Sequence, residues 1–349
     1  MNAGADASAL KYPHASGPEP GDAMALADGV LWCRMPLPGA LTHINVWAVR
    51  SGAGWTIVDT GLNTPETFDA WTKVFAGALE GSPVEQVICT HMHPDHIGVA
   101  GWITRRFRCP LLITRLEYLT CRTLVADTGR PAPEDGVRFY RAAGWDHEAI
   151  EGYKKRFGGF GKMIYEMPDS FRRLEDGDML ELGAYRWRVV VGTGHSPEHA
   201  CLYSEQLKLL ISGDQVLPRI SSNISLFPTE PDADPLSDWL ESLARIKTTV
   251  PDDVLVLPAH GLPFHGLHAR IDQLIAGHEK GLAALKAGLD RPHRVMDVFP
   301  MLFSRAIQGE LLVGMATGES LAHLAYIGKR GVISRSTDEN GVDWYQWSR

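Results

Sequence analysis

A chain of 349 residues that is 44% hydrophobic can bury one large core, or a core with a small second domain. A charged fraction of 22% and a formal net charge of −8 argue against a broad nucleic-acid-binding surface. Five scattered cysteines without a CxxC pair exclude a disulfide framework, and no apolar run approaches the roughly 18 residues a membrane span needs. The expectation is a cytoplasmic protein with a small-molecule substrate and neither a nucleic-acid nor a membrane partner.

Met1–Asp22 is rich in Ala, Gly and Pro, lacks the basic start and apolar stretch of a targeting segment, and reads as a mobile N-terminal tail. Strand-like runs follow at Val30–Met35, Leu41–Val49 and Trp55–Asp59. Thr64–Leu79 reads as a helix, with Thr64 as cap, Pro65 in the first turn, and an apolar stripe of Phe68, Trp71, Phe75 and Leu79. A strand at Val84–Cys89, a helix from about Val99 to Phe107 and a strand at Cys109–Thr114 come next. Residues 115–168 are helical, charged and aromatic, and predict an inserted helical lid or a connector with its own small core. The β pattern resumes at Phe171–Leu174, Met179–Leu182, Arg186–Val191, Ala200–Tyr203 and Leu207–Ile211. A helix capped by Asp234 and opened by Pro235 precedes a last buried strand, Val254–Leu257.

Beyond residue 266 the pattern is helical: His268–Leu289, Arg294–Arg305 and Ser320–Gly331. Two short strands around Asp338-Glu339-Asn340-Gly341 predict a hairpin. Helices followed by a hairpin resemble a winged-helix module. Its acidic wing opposes DNA contact, so the tail is expected to pack against the catalytic domain or a second copy in a homodimer. The expected domains are the tail at 1–22, a catalytic domain at 23–266 with the insertion at about 115–168, and a winged-helix-like domain at 267–349.

The chemistry concentrates in Thr90-His91-Met92-His93-Pro94-Asp95-His96, directly after the apolar run Val87-Ile88-Cys89. Further blocks are Thr193-Gly194-His195-Ser196, Ser212-Gly213-Asp214 and Pro258-Ala259-His260-Gly261. Imidazole nitrogen and carboxylate oxygen suit Zn²⁺ and tolerate Mn²⁺ or Fe²⁺. Five histidines and two aspartates suffice for two divalent metal ions.

The HxHxDH motif, then His195, Asp214 and His260 in that order, with Val58-Asp59-Thr60-Gly61 upstream, resembles the metallo-β-lactamase-fold hydrolase superfamily over about Val30 to Gly266. The resemblance implies an α+β fold, an αββα sandwich with the metal site on one edge of two packed sheets. It implies that His91, His93 and His195 hold one metal, that Asp95, His96 and His260 hold the other, and that Asp214 bridges them. Asp59 would orient a ligand imidazole from behind, and His199 would act there or toward substrate. A metal-bridging hydroxide would attack, with Asp95 and Asp214 as the catalytic carboxylates and Asp95 relaying the proton.

Asp214 distinguishes the chain from antibiotic-hydrolysing relatives, which carry cysteine or serine there. What remains is the branch similar to glyoxalase II and lactonases, cleaving a carboxylic ester, thioester or lactone. Arg219 and Asn223, in the kinked stretch after Asp214, and Tyr118 and Tyr165 of the insertion are the candidate substrate contacts. The rival readings are a single-iron oxidoreductase similar to the persulfide dioxygenases, and a non-catalytic small-molecule sensor.

Overall fold

The computed structural model describes residues 9–39 and 41–348. A seven-stranded sheet runs in chain order: β1 (Ala23–Ala27), β2 (Val30–Pro36), β3 (His43–Ser51), β4 (Gly54–Val58), β5 (Val84–Ile88), β6 (Leu111–Thr114) and β7 (Arg172–Leu174). Its first four strands are antiparallel and its last four, from β4, parallel. The second sheet holds β8 (Met179–Leu182), β9 (Tyr185–Gly192), β10 (His199–Ser204), β11 (Leu209–Gly213) and β12 (Leu255–Pro258), in the order β12-β11-β10-β9-β8.

Side-chain alternation along these strands builds three apolar layers. Trp32, Trp47, Val58 and Ile88 of the first sheet meet Trp187, Val189, Leu202 and Ile211 of the second to form the core between the sheets. The neighbouring residues Val46, Ala48 and Ile57 point the other way. They pack under helices α1 (Pro65–Ala76) and α3 (Ala100–Phe107), with Trp71, Val74 and Ile103. Between those helices, α2 (Pro94–Ile97) is one turn inside the histidine loop. On the far side, Val190, Cys201 and Leu210 pack under helix Pro235–Thr249, through Leu236, Trp239, Leu243 and Ile246. The layers are therefore α, β, β, α, as the family resemblance implies. The Asp234 side chain accepts from Ser237 N at 3.2 Å, which makes it the expected cap of that helix.

The insertion contains α4 (Arg115–Ala126), α5 (Glu134–Ala142), α6 (His147–Arg156) and a 3₁₀ turn at Phe160–Met163. It has no core of its own. Tyr118 and Cys121 of α4 join the layer outside the first sheet, while Val137, Ala143, Trp145 and Ile150 join the layer outside the second. Numbering Pro235–Thr249 as α7, the chain continues with α8 (Leu267–Gly288), a 3₁₀ turn at Val295–Val298, α9 (Phe299–Leu302) and α10 (Glu310–Lys329). Trp145 donates to Thr317 of α10 at 2.9 Å, so the insertion is stitched to the C-terminal helices.

The expected helix at Arg294–Arg305 is reduced to that 3₁₀ turn and the four residues of α9, while α10 starts ten residues before the expected Ser320. The hairpin forms as read: β13 (Ile333–Thr337) pairs with β14 (Asp343–Trp347), Asp338 Oδ1 accepts from Asn340 N and Val342 N, and Gly341 takes the positive φ of 79°.

The expected mobile tail needs correction over residues 9–22. Leu10 is buried in the cluster that contains Phe264 and Leu267, and Lys11 exchanges backbone hydrogen bonds with His265 at 3.2 and 2.8 Å. An apolar anchor and a bridge pair hold the segment down. Residues 1–8 lie outside the described residues. All five cysteines are free, and among the described residues no helix is long and apolar enough to cross a membrane.

Leu202 is fully buried between the sheets, whereas Leu119 on α4 is 49% exposed. Leu202→Ala is expected to lower unfolding free energy by about 2–5 kcal/mol in chemical denaturation. Leu119→Ala should change it by less than about 0.5 kcal/mol.

Candidate metal centre

Strands β4, β5, β9, β11 and β12 all end at the same edge of the sandwich, and each delivers site residues from its C-terminal end: Asp59, Thr90–His96, His195, Asp214 and His260. Asn45 ties the two sheets together beneath them. Its side-chain amide donates to Pro258 O at 2.8 Å and Gly261 O at 2.7 Å, so it seats the His260 turn of the second sheet from a strand of the first.

Three groups of potential ligands form there, His91/His93/His195, His91/His96/Asp214 and Asp95/His96/His260, each with its ligand atoms within 4.8 Å of one another. Asp214 sits between the outer two groups. Its Oδ2 is 3.5 Å from His195 Nε2, and its Oδ1 is 3.5 Å from both His96 Nε2 and His260 Nε2. Asp95 Oδ2 is 3.3 Å from His260 Nε2. His91 Nε2 and His93 Nδ1 stand 2.9 Å apart.

The outward nitrogens are fixed by the protein. His96 Nδ1 donates to Asp59 Oδ2 at 2.8 Å, and Asp59 also accepts from Thr90 N and Thr90 Oγ1 at 2.7 and 2.8 Å. Since the Thr90 hydroxyl proton goes to Asp59, its oxygen is free to accept from His91 Nδ1, 3.1 Å away. His195 Nδ1 donates to Asn223 O at 2.9 Å and His260 Nδ1 to His43 O at 3.3 Å. Each of these four imidazoles thereby carries its proton outward and turns a lone pair inward. Inside, His96 Nε2, His195 Nε2 and Asp214 Oδ1 are buried with no hydrogen-bond partner among the described residues. Orphaned buried acceptors are costly, and a cation is what this set of nitrogens and oxygens fits.

The electrostatics agree. Burial and the neighbouring His195 hold the His93 imidazole neutral, down to about 3, and burial with the surrounding histidines also depresses His91 well below the ordinary value. Burial opposes charge on His96, yet Asp59, Asp95 and Asp214 together raise its basicity well above the ordinary value. Positive charge is thus favoured around His96 and His260, beside the carboxylates, and disfavoured on the His91 and His93 imidazoles.

His199 is buried behind Asp214, and its Nε2 accepts from Asp214 N at 3.1 Å. Gly213 permits this approach: its φ is +50°, and a Cβ there would lie 2.5 Å from His199 Nε2. Asp59, with φ +61°, is one of the few non-glycine residues in the left-handed region, a strain held by its three hydrogen bonds.

Four expected substrate contacts are placed differently from one another. Tyr118 stacks on Phe171 at 4.1 Å and donates to Pro168 O, and Tyr165 packs against Phe68 under Arg105. The Tyr118 ring is buried in the layer outside the first sheet, and Tyr165 is half-buried beside Phe68. Arg219 is exposed over the Tyr12 ring. Asn223 does reach the site, through its carbonyl on His195.

Glu117 is the functional side chain that sequence reading missed. It is fully buried at the start of α4 and accepts from Met92 N at 2.9 Å, Ser196 Oγ at 2.6 Å and Glu198 N at 2.8 Å. It thus pins the loop of His91 and His93 to the loop of His195. A carboxylate beside the candidate Tyr118 carried no sequence signal of this.

Residues 39–260 match the metallo-beta-lactamase superfamily, and residues 282–348 match a metallo-beta-lactamase-like C-terminal domain. A probable metallo-hydrolase, YqjP of Bacillus subtilis (strain 168), is 26% identical over 90% of this chain and 97% of its own length. An atrochrysone carboxyl ACP thioesterase from Aspergillus fumigatus is 24% identical over 70% of this chain and 45% of its own length. Among solved structures, a beta-lactamase domain protein from Burkholderia ambifaria superposes with a TM-score of 0.89 at 38% identity, covering 98% of this chain and 99% of that one. The protein, with its ligand loops in that order on that sandwich, belongs to the metallo-β-lactamase superfamily.

Proposed function

We propose that the protein is a hydrolase holding two divalent metal ions, zinc first among them, and that it cleaves a carboxylic ester, thioester or lactone. The observation that carries this reading is the placement of Asp214 between two ligand groups, each with an inward nitrogen, His195 Nε2 in one and His96 Nε2 in the other, that has no hydrogen-bond partner among the described residues. His91, His93 and His195 would hold one ion, Asp95, His96 and His260 the other, and Asp214 would span them. Bound there, the ions supply Lewis acidity for an acyl oxygen and lower the pKa of coordinated water to about 7.

The chain's own residues do the rest. Asp59, Thr90, Asn223 and the His43 carbonyl orient the imidazoles, and His199 holds the Asp214 backbone. Glu117 locks the two loops of the first ion together. Asp95 is the carboxylate with a side chain 23% exposed, so its Oδ2 can take a proton from the site and pass it to water or a leaving group. No thiol competes as nucleophile: burial pushes the Cys33 thiol up to about 12 and raises Cys89 and Cys201 as well. The thioesterase among the relatives supports an acyl substrate. The C-terminal helices and hairpin are read as a module packed on the catalytic domain, since Trp145, Ala316, Leu324 and Tyr345 share one buried cluster with α7.

Elemental analysis of the purified protein should find two transition-metal ions per chain, and chelator should remove activity that zinc or manganese restores. One iron per chain with oxygen consumption would instead support the oxidoreductase reading. Asp214→Ala should lose metal and reduce kcat/KM by more than about a hundredfold in a screen of p-nitrophenyl esters, thioesters and homoserine lactones. Full metal content and turnover in that variant would sink the ligand assignment. Glu117→Ala should weaken metal binding by about 10–100-fold, while Glu117→Gln, which keeps one acceptor oxygen, should lose less; competition with a chromogenic chelator measures both.

A further inference from the structure

The C-terminal helices reach the metal centre through one loop, residues 214–226. Arg270 of α8 is 2% exposed and donates from Nε to Leu217 O at 2.6 Å and from Nη2 to Ile220 O at 2.9 Å. Leu226 N donates to Gly318 O of α10 at 3.0 Å. Between these anchors lies Asn223. Its carbonyl takes the proton of His195 Nδ1, while its side chain faces α10: Nδ2 donates to Glu319 Oε2 at 3.1 Å and to Met315 O at 3.4 Å, and Oδ1 accepts from Ser225 Oγ at 2.5 Å.

Glu319 is 8% exposed in a helix whose central stretch from Ala316 to Leu324 is buried throughout. A carboxyl group in such a place opposes stability unless it is hydrogen-bonded, so its retention calls for a reason beyond packing. We propose that Glu319 is a positioning residue of the metal centre. By anchoring the Asn223 amide it holds the Asn223 carbonyl on His195 Nδ1, and so aims the Nε2 lone pair of that imidazole at Asp214 and the His91/His93 pair. This rests on the reading of His195 as a metal ligand. Without the Glu319 contact the Asn223 amide keeps only the longer bond to Met315 O and the bond from Ser225 Oγ, the acceptor of the outward His195 proton is less firmly fixed, and the ring is held less tightly in one tautomer and one orientation. The C-terminal domain thereby becomes part of the site without touching a metal ion.

The test uses the full chain with Glu319→Leu and Glu319→Gln. Leu fills the space but accepts no hydrogen bond, whereas the Gln amide oxygen still accepts from Asn223. Chelator competition with zinc should show affinity at one of the two sites reduced about tenfold in Glu319→Leu, the other unchanged, and wild-type affinity in Glu319→Gln. Long-range ¹H–¹⁵N spectra of the metal-free protein, with His195 assigned by substitution, should show the Nδ1–H tautomer in wild type and Glu319→Gln, and a tautomer mixture in Glu319→Leu. Equal affinities in all three proteins, an equal loss in both variants, or uniform weakening of both sites alongside a lowered melting temperature would each overturn the proposal. Wild-type protein that takes up no cation would sink the hydrolase reading alone, because the tautomer in metal-free protein still reports on Glu319.

Discussion

Everything at this centre depends on one constraint: buried imidazoles must have their outward N–H groups satisfied before their inward lone pairs can be shared. Five histidines and two aspartates crowd a volume in which ligand atoms of each group lie within 4.8 Å. Left to packing, such groups would pair with one another or draw in water. Here Asp59, Thr90, Asn223 and His43 claim the outward protons of four of the imidazoles, and His96 Nε2, His195 Nε2 and Asp214 Oδ1 are left inside without a hydrogen-bond partner among the described residues, a set that a cation fits. The hydrogen-bonding residues are as much a part of the site as the ligands.

That constraint explains why the architecture is a sandwich. The candidate ligands come from both sheets, His91–His96 from the first and His195, Asp214 and His260 from the second, so the sheets must be fixed against each other. The apolar layer of Trp32, Trp47, Trp187 and Leu202 supplies the bulk of that cohesion, and Asn45 supplies the directional part at the edge itself. Dense packing between the sheets lets hydrogen bonds of ordinary strength hold ligand positions closely, since a shift of one sheet would disturb every contact in the layer. The outer layers extend the same logic. Glu117 reaches in from α4 and the 214–226 loop is held by α8 and α10, so the insertion and the C-terminal helices both brace the one centre.

Much of this was legible in the chain. Apolar runs such as Thr56-Ile57-Val58 announced buried strands, Asp234-Pro235 announced a capped helix, and the Asp338–Gly341 turn announced a hairpin, because each is a local preference of backbone and side chain. The side chains that converge at this edge were singled out because histidines clustered at strand ends have few other uses. The failures have a common cause. Tyr118 suggested a pocket wall but its ring is buried in the outer layer, Leu10 anchors a segment that composition alone marked as loose, and Arg294–Arg305 had helical composition but lies in a 3₁₀ turn and a single short helix. In each case distant contacts outweighed local propensity.

What the sequence determined by itself was the inventory: which strands, which helices and which donor atoms, since these follow from hydrophobic period and side-chain chemistry. Only the tertiary structure decided how the inventory is aimed. Glu117 meets Ser196 across 79 residues and Asn223 meets Glu319 across 96, and neither pairing has any trace in spacing or composition. A hydrogen bond is a matter of distance and angle in space, and only the closed sandwich brings those atoms within reach.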